Sequence, residues 1–235
     1  MQAVILAGGK GTRLRPYTTF LPKPLVPIGD VPILEVVLKQ LKYYGVTEVI
    51  IAVNHLAELI MAFFGDGEKL GLKIRYSMEN KPLGTAAPIA RIEDLDDNFL
   101  VMNGDILTTL NFKKLFDTHL EKENDITIST HKKEIKIDLG VLKIDNSRFI
   151  DYIEKPTYYF DVSMGIYAMK RECLLAIPED QKFDIPEFIL KLQKEDKRIY
   201  CYGEDCYWLD IGRADDYETA NEIFSEKRKE FLLDE

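Results

Sequence analysis

The sequence predicts an α/β fold, with a mainly parallel mixed sheet flanked by helices. Three observations predict it. Strand and helix signals alternate through the first half of the chain, the pattern that builds parallel strands joined by crossover helices. The opening strand runs straight into a glycine-rich loop, and ligands of open α/β sheets bind beyond such strand ends. After about residue 131 short strand signals follow one another without full crossover helices between them, which calls for partly antiparallel pairing.

The elements follow in order. Residues 2–7 are short and apolar, a buried strand. Residues 32–44 read as a helix: Pro32 suits the first turn, Ile33, Leu34, Val37, Leu38 and Leu41 share one face, and Gly45 stops it. Residues 48–53 are β-branched and apolar, hence strand, and 55–64 form a short helix ending at Gly65. Strand 72–77, helix 85–92, strand 99–102, helix 112–122 and strand 125–130 complete the alternation. Short strands are expected at 140–144, 149–153 and 165–169, in a subregion that covers the site. Helices at 186–194 and 214–229 follow, with strand 198–202 between them.

The chain has 235 residues, enough for one sizeable core, and shows no internal repeat or low-complexity linker. A single domain spanning 1–235 is therefore expected. Its 46% hydrophobic and 30% charged residues are those of a soluble globular protein. No apolar run approaches the ~18 residues of a membrane span, and the chain opens directly on a strand, so neither a membrane segment nor a signal peptide is expected. Cys173, Cys201 and Cys206 are odd in number and lack a Cys-x-x-Cys spacing, which favours free thiols in the cytoplasm over disulfides or zinc. A net charge of −9 argues against nucleic-acid binding. An anionic small molecule remains open to it if the cations gather at one site. His55, His119 and His131 have no metal-ligand spacing and read as solvated or core-edge residues. The sequence leaves a homo-oligomer open.

Those cations gather in residues 6–24. Gly8, Gly9 and Gly11 follow the first strand, then come Thr12, Arg13 and Arg15, and Lys23 lies between two prolines. Consecutive N–H groups in a glycine turn form a concavity for anions, and fixed cations beside it suit a polyphosphate. There is no P-loop spacing, and Leu14 stands where the dinucleotide fingerprint needs its third glycine. A nicotinamide-dependent oxidoreductase is therefore disfavoured. Asn103-Gly104-Asp105 follows strand 99–102 and falls at the same end of the sheet. An acidic group beside a phosphate needs a divalent cation between them, and oxygen ligands completed by phosphates suit Mg²⁺; a turn or helix N-cap is the competing role. Asp210, flanked by Trp208, Leu209 and Ile211, is expected to be partly buried and so to need a cation or metal, or to cap the helix that follows.

These motifs together resemble the sugar-1-phosphate nucleotidyltransferases. Residues 6–14 and Pro22-Lys23-Pro24-Leu25 look like the family signature. The likeness continues through Pro82-Leu83-Gly84-Thr85-Ala86, Asn103-Gly104-Asp105, Glu154-Lys155-Pro156, Met164-Gly165-Ile166-Tyr167 and Trp208-Leu209-Asp210-Ile211-Gly212. It covers nearly the whole chain, in family order. The resemblance implies a Rossmann-like, GT-A-like nucleotidyltransferase fold, with a nucleotide-binding half at 1–131 and a sugar-phosphate half at 132–235. It implies a Mg²⁺-dependent enzyme whose substrates are a nucleoside triphosphate and a sugar 1-phosphate. Many relatives carry a C-terminal solenoid of hexapeptide repeats; this chain ends soon after its last helix and is expected to lack one.

Residue by residue, the resemblance assigns Asp105 and Asp210 to the metal, Arg13 and Lys23 to the triphosphate and its leaving group, and Lys155 to the attacking phosphate. Leu6, Gly8, Gly9, Gly11, Thr12, Pro82, Gly84 and Thr85 would surround the nucleotide. Asn103, Gly140, Glu154, Ser163 and Gly165 would surround the sugar, although many relatives have Asn at the place of Ser163. The segment 82–86 is similar to guanylyltransferases for mannose- or heptose-type phosphates more than to the short thymidylyltransferases, and it departs from them at Ala87, where many have Gly. The implied base is guanine. Glucose-1-phosphate thymidylyl-, uridylyl- or cytidylyltransferases and a non-catalytic regulatory homologue are the alternatives.

Overall fold

The computed structural model describes residues 1–79 and 81–233. Its elements are β1 (Gln2–Leu6), β2 (Pro27–Ile28), β3 (Val31–Pro32), α1 (Ile33–Tyr43), β4 (Glu48–Val53), α2 (Ala57–Phe64), β5 (Lys73–Met78), β6 (Asn98–Asn103), β7 (Ile106–Thr108) and α3 (Phe112–Glu121). There follow β8 (Ile126–Lys136), β9 (Val141–Asp145), β10 (Arg148–Ile153), β11 (Thr157–Lys170), α4 (Ile185–Lys194), β12 (Ile199–Gly203), β13 (Trp208–Asp210) and α5 (Ala214–Phe231).

Seven strands form the main sheet in the order β12-β8-β11-β6-β1-β4-β5. β1 pairs in parallel with β4 on one side and β6 on the other, and only β11 runs against the rest. Ala3, Val4 and Ile5 expose nothing, because a strand apolar on both faces has to be covered on both. On one side α1 presents Leu34, Val37, Leu38 and Leu41 to a core that also holds Ile5, Val49 and Ile51. On the other, Phe188 and Leu192 of α4 pack with Val4, Phe99 and Val101. A third cluster joins Leu14, Ile28 and Val31 to Phe224 and Phe231 of α5, fastening the segment after the glycine loop to the last helix. Burying each such side chain contributes ~1.5–3 kcal/mol.

The structure departs from the sequence reading at three places. Residues 85–92 form no α-helix: the N–H groups of Ala86 and Ala87 donate to Phe183 O at 2.9 and 3.2 Å, Pro88 has no N–H, and one 3₁₀ turn remains at Ile89–Arg91. The strands expected at 125–130 and 165–169 are parts of longer ones. β8 and β11 pair with each other well past the sheet, out to Lys136↔Thr157, and the two short strands between them form the β9–β10 hairpin.

The third departure is His119, which is wholly buried instead of lying at the core edge; His55 and His131 are half-buried. The His119 Nε2–H donates to Asn98 Oδ1 (3.1 Å) and Nδ1 accepts from the Thr127 hydroxyl (3.0 Å), which in turn accepts from Asn124 Nδ2. The neutral ring thus ties α3 to β6 and β8. Burial, with Lys170 adding to it, pushes its pKa down to about 4.

An unfolded chain binds the imidazole proton below about 6.5, and the native state resists it to about 4. Stability from this group should therefore fall as pH drops through that window, by up to about 3 kcal/mol. Urea unfolding at pH 7, 5.5 and 4.5 should show a shallower pH slope for His119→Gln than for the parent. Equal slopes would refute the neutral buried ring.

Candidate active site

The glycine loop leaves the sheet at its centre. Ala7 N–H donates to Ala52 O of β4 (2.9 Å) and Gly104 N–H to Leu6 O (3.0 Å), so the loop starts between the ends of β4 and β6. Successive strands lie on opposite sides of β1 here, and such a switch of direction opens a crevice above the strand ends. The crevice is a cavity of about 450 Å³. Leu6, Gly8 and Gly9 line its floor, Lys10, Lys23 and Asp105 one part of the wall, and Pro82, Gly84, Thr85 and Asn103 much of the rest.

Gly11 shapes the loop without lining the cavity. It has φ +61°, and a Cβ there would lie 2.9 Å from Thr18 Cγ2. The Thr18 hydroxyl donates to Gly11 O at 2.7 Å, and the buried Leu14 anchors the next turn. Thr12 is exposed and lines neither this cavity nor its neighbour.

At one end of the cavity lies segment 82–87. Gly84 has φ +88°, and a Cβ would stand 2.6 Å from Asp184 Oδ1 and 2.7 Å from Phe183 O. Thr85 N–H donates to Asp184 Oδ1 (2.9 Å), Thr85 Oγ1 accepts from Ile185 N–H (2.9 Å), and Phe183 N–H donates to Leu83 O (2.8 Å). The segment is thereby stitched to the start of α4. Beside it stands Glu79, whose Oε2 accepts from Leu83 N–H (3.5 Å) and whose Oε1 would be 3.0 Å from a Cβ on Gly8. Burial pushes the Glu79 carboxyl up, against weaker opposition from the Leu83 amide and Arg91.

At the other end Lys23 pairs with Asp105 Oδ2, both side chains largely buried. Asp105 Oδ1 is buried and has no hydrogen-bond partner among the described residues. Asp105 O accepts from Ile211 N–H at 3.2 Å, and β13 pairs with β7 to set Asp210 opposite Ile106. The two aspartates expected together are thus held on adjacent backbone. Asp210 is an exposed residue, not a partly buried one, because the short edge strand β13 turns it onto the wall of an adjoining cavity shared with Arg13. Protein surrounds that wall, so lost hydration, and then the like charge of Asp105, raise its carboxyl pKa, with Lys23 and Arg13 opposing. Arg13 reaches Gly212, where a Cβ would be 3.6 Å from a guanidinium nitrogen.

Of the residues assigned to the sugar, Gly165 (φ +72°) lies in the β11 irregularity after Ser163, and a Cβ there would be 2.6 Å from Asn103 Nδ2. Ser163 Oγ contacts the Tyr167 hydroxyl at 3.0 Å. Gly140, Glu154 and Lys155 flank the base of the hairpin and line neither cavity. A Cβ on Gly140 would strike the Tyr152 ring, whose hydroxyl donates to Glu154 Oε2 at 2.8 Å, and Lys155 has φ +44°. Three cavity residues escaped the sequence reading: Asn54, Glu79 and Lys182. Asn54 and Glu79 directly follow β4 and β5, so reading the residue after every parallel strand would have found them; nothing local marks Lys182.

Residues 2–227 match the family model described as nucleotidyl transferase. The chain is 34% identical to a UTP–glucose-1-phosphate uridylyltransferase of Synechocystis over 94% of this chain and 62% of that protein. It is 31% identical to the D-glycero-alpha-D-manno-heptose 1-phosphate guanylyltransferase of Aneurinibacillus thermoaerophilus, covering 94% of this chain and 96% of the other. The first curated relatives are longer, and the chain spans 62–64% of their length. Among solved structures, HddC of Yersinia pseudotuberculosis complexed with GMP-PN superposes with TM-score 0.73 at 28% identity, over 95% of this chain and 99% of that one. No helix among the described residues is long and apolar enough to cross a membrane.

A carboxyl titrating above its ordinary 3.8 favours the native state when protonated, and that contribution is lost as pH rises through its native value. Asp210→Asn should therefore raise the Tm in EDTA at pH 7.5, and the gain should shrink as pH falls toward 3.8. An unchanged or lower Tm at pH 7.5 would contradict the electrostatic account.

Proposed function

Since this chain belongs to the nucleotidyl transferase family, we propose that it joins a nucleoside triphosphate to a sugar 1-phosphate, giving a nucleotide sugar and pyrophosphate, with GTP and a mannose- or heptose-type phosphate as substrates. The observation that carries the reading is the crevice over β1, where a glycine floor, Lys23 and Asp105 line one cavity of about 450 Å³. An oxygen of the sugar phosphate attacks the α-phosphorus in line, the new P–O bond forms, and the bond to the β-phosphate breaks with its electron pair leaving on pyrophosphate. The attacking oxygen is already ionised at neutral pH, so positioning and charge neutralisation suffice.

Each residue then has a task. The glycine loop and Arg13 hold the triphosphate, Lys23 exchanges Asp105 for phosphate oxygens, and Lys155 at the base of the hairpin meets the sugar phosphate. Asp105 and Asp210 would hold Mg²⁺. The bare buried Oδ1 of Asp105 and the raised pKa of Asp210 fit that assignment, since two crowded carboxylates gain from a shared cation. Among the described residues no three of His, Cys, Asp and Glu converge as a metal site, so phosphate and water would complete the shell. When bound there, the ion would supply charge neutralisation.

Glu79 supports guanine. Its carboxylate only accepts hydrogen bonds, and guanine alone among the common bases offers adjacent N1–H and N2–H donors on one edge. The guanylyltransferase relative that matches over nearly its full length points the same way, whereas the uridylyltransferase match supports a pyrimidine as the second reading.

Pyrophosphate release should be fastest with GTP when GTP, dTTP, UTP and CTP are compared at equal concentration with mannose 1-phosphate, a heptose 1-phosphate and glucose 1-phosphate. Glu79→Gln should cut kcat/KM for GTP by about tenfold to a hundredfold, as expected for a lost charged hydrogen bond. A pyrimidine preference would exclude the guanylyl assignment and leave the reaction class standing. Asp105→Asn should fold normally yet lose about a hundredfold or more in turnover; near-parental turnover would remove Asp105 from the mechanism.

A further inference from the structure

Residues 132–161 contain no buried side chain. They form one two-stranded ribbon that leaves the main sheet. β8 and β11 pair as far as Lys136↔Thr157, Ile137 N–H donates to Pro156 O at 3.0 Å, and β9 and β10 continue to a turn at Asn146–Ser147, both with positive φ. Among the described residues no third strand joins the β9–β10 pair.

Residues directly opposite in an antiparallel pair share a face. Ile144 opposes Phe149 and Leu142 opposes Tyr152, with a bulge absorbing Ile150. One face of the hairpin is therefore apolar throughout: Leu142, Ile144, Phe149 and Tyr152 are 50%, 60%, 66% and 52% exposed. On the other face Lys143 opposes Asp151 and Asp145 opposes Arg148, pairs suited to water, with the Val141–Ile153 pair at the base of the hairpin. A hairpin so patterned is built to lie on something, and a lone two-stranded hairpin is marginal in water.

We propose that this apolar face is the contact between two copies of the chain. Charge selects that occupant. Residues 132–161 hold six cations and six anions, while the chain as a whole carries −9, so the net negative charge resides entirely in the body. The ribbon is the neutral region through which two acidic bodies approach without repulsion. An anionic lipid surface or an acidic partner would require an excess of cations there. Area agrees. The four side chains, with Ile150 in the bulge between them, offer several hundred Å² of apolar surface per copy, approaching the ~800 Å² that each partner contributes to a stable interface. The same face serves on both copies, as a two-fold contact requires.

The inference is independent of the proposed reaction, and its test involves no substrate. Sedimentation velocity of the full chain from about 1 to about 100 µM should show monomer giving way to dimer. Phe149→Asp places a charge in the middle of the face and should raise the dissociation constant at least about tenfold; Ile144→Ser should act in the same direction with less disturbance. The dilute variants should melt like the dilute parent, because neither side chain is buried in the monomer. Amide exchange over residues 141–153 should slow with concentration in the parent and not in Phe149→Asp. A parent that stays monomeric at about 100 µM, alone or while sedimenting with anionic vesicles, would overturn the proposal, as would a dimer indifferent to both substitutions.

Discussion

Everything at the site depends on β1 being hydrogen-bonded on both sides by strands that run its own way. A strand so flanked cannot continue past its neighbours without burying unpaired backbone, so the chain must lift off at Leu6. Glycines then let it turn above the sheet while Ala7 and Gly104 close the last hydrogen bonds. The crevice is the space that this departure leaves. Its rigidity is inherited from the sheet, which places Asn54, Glu79 and Asn103 at the ends of three parallel strands around the same opening.

Much of this was legible beforehand because it is local. The faces of α1, the glycine loop, and the strand before Asn103-Gly104-Asp105 are written in spacing that needs no knowledge of distant contacts. What escaped was decided at long range. Residues 85–92 have helical composition, yet Phe183, almost a hundred positions away, takes the N–H groups of Ala86 and Ala87. His119 appeared peripheral because nothing in its neighbourhood announces Asn98 and Thr127 as partners. The extra length of β8 and β11 arises from their pairing with each other and not from their separate propensities. Lys182 enters the cavity from a loop whose own residues give no hint of it.

Charge behaves similarly: the total misleads and the arrangement informs. A chain at −9 would seem a poor host for polyanions, yet Lys10, Lys23 and Arg13 converge where the backbone already offers N–H groups. Asp105 and Asp210 stand among them, so the site combines both signs at close quarters. The Lys23–Asp105 pair is the arrangement that such a mixture reaches by itself. It keeps a largely buried carboxylate partnered, which an isolated charge in that position would require in any case.

The stitching of Gly84 and Thr85 to Phe183, Asp184 and Ile185 has a bearing on how such a pocket changes over generations. The two segments are far apart in the chain but share their hydrogen bonds, and the space a side chain at 84 would fill is already occupied by the other segment. Residues 82–87 are therefore not a cassette. Exchanged alone between relatives, they would arrive without the backbone that gives them shape, and drift at either segment is held in check by the other. Glu79 is tied into the same seam, because its Oε2 accepts from Leu83 N–H at 3.5 Å, so a side-chain change there also bears on the shape of the segment.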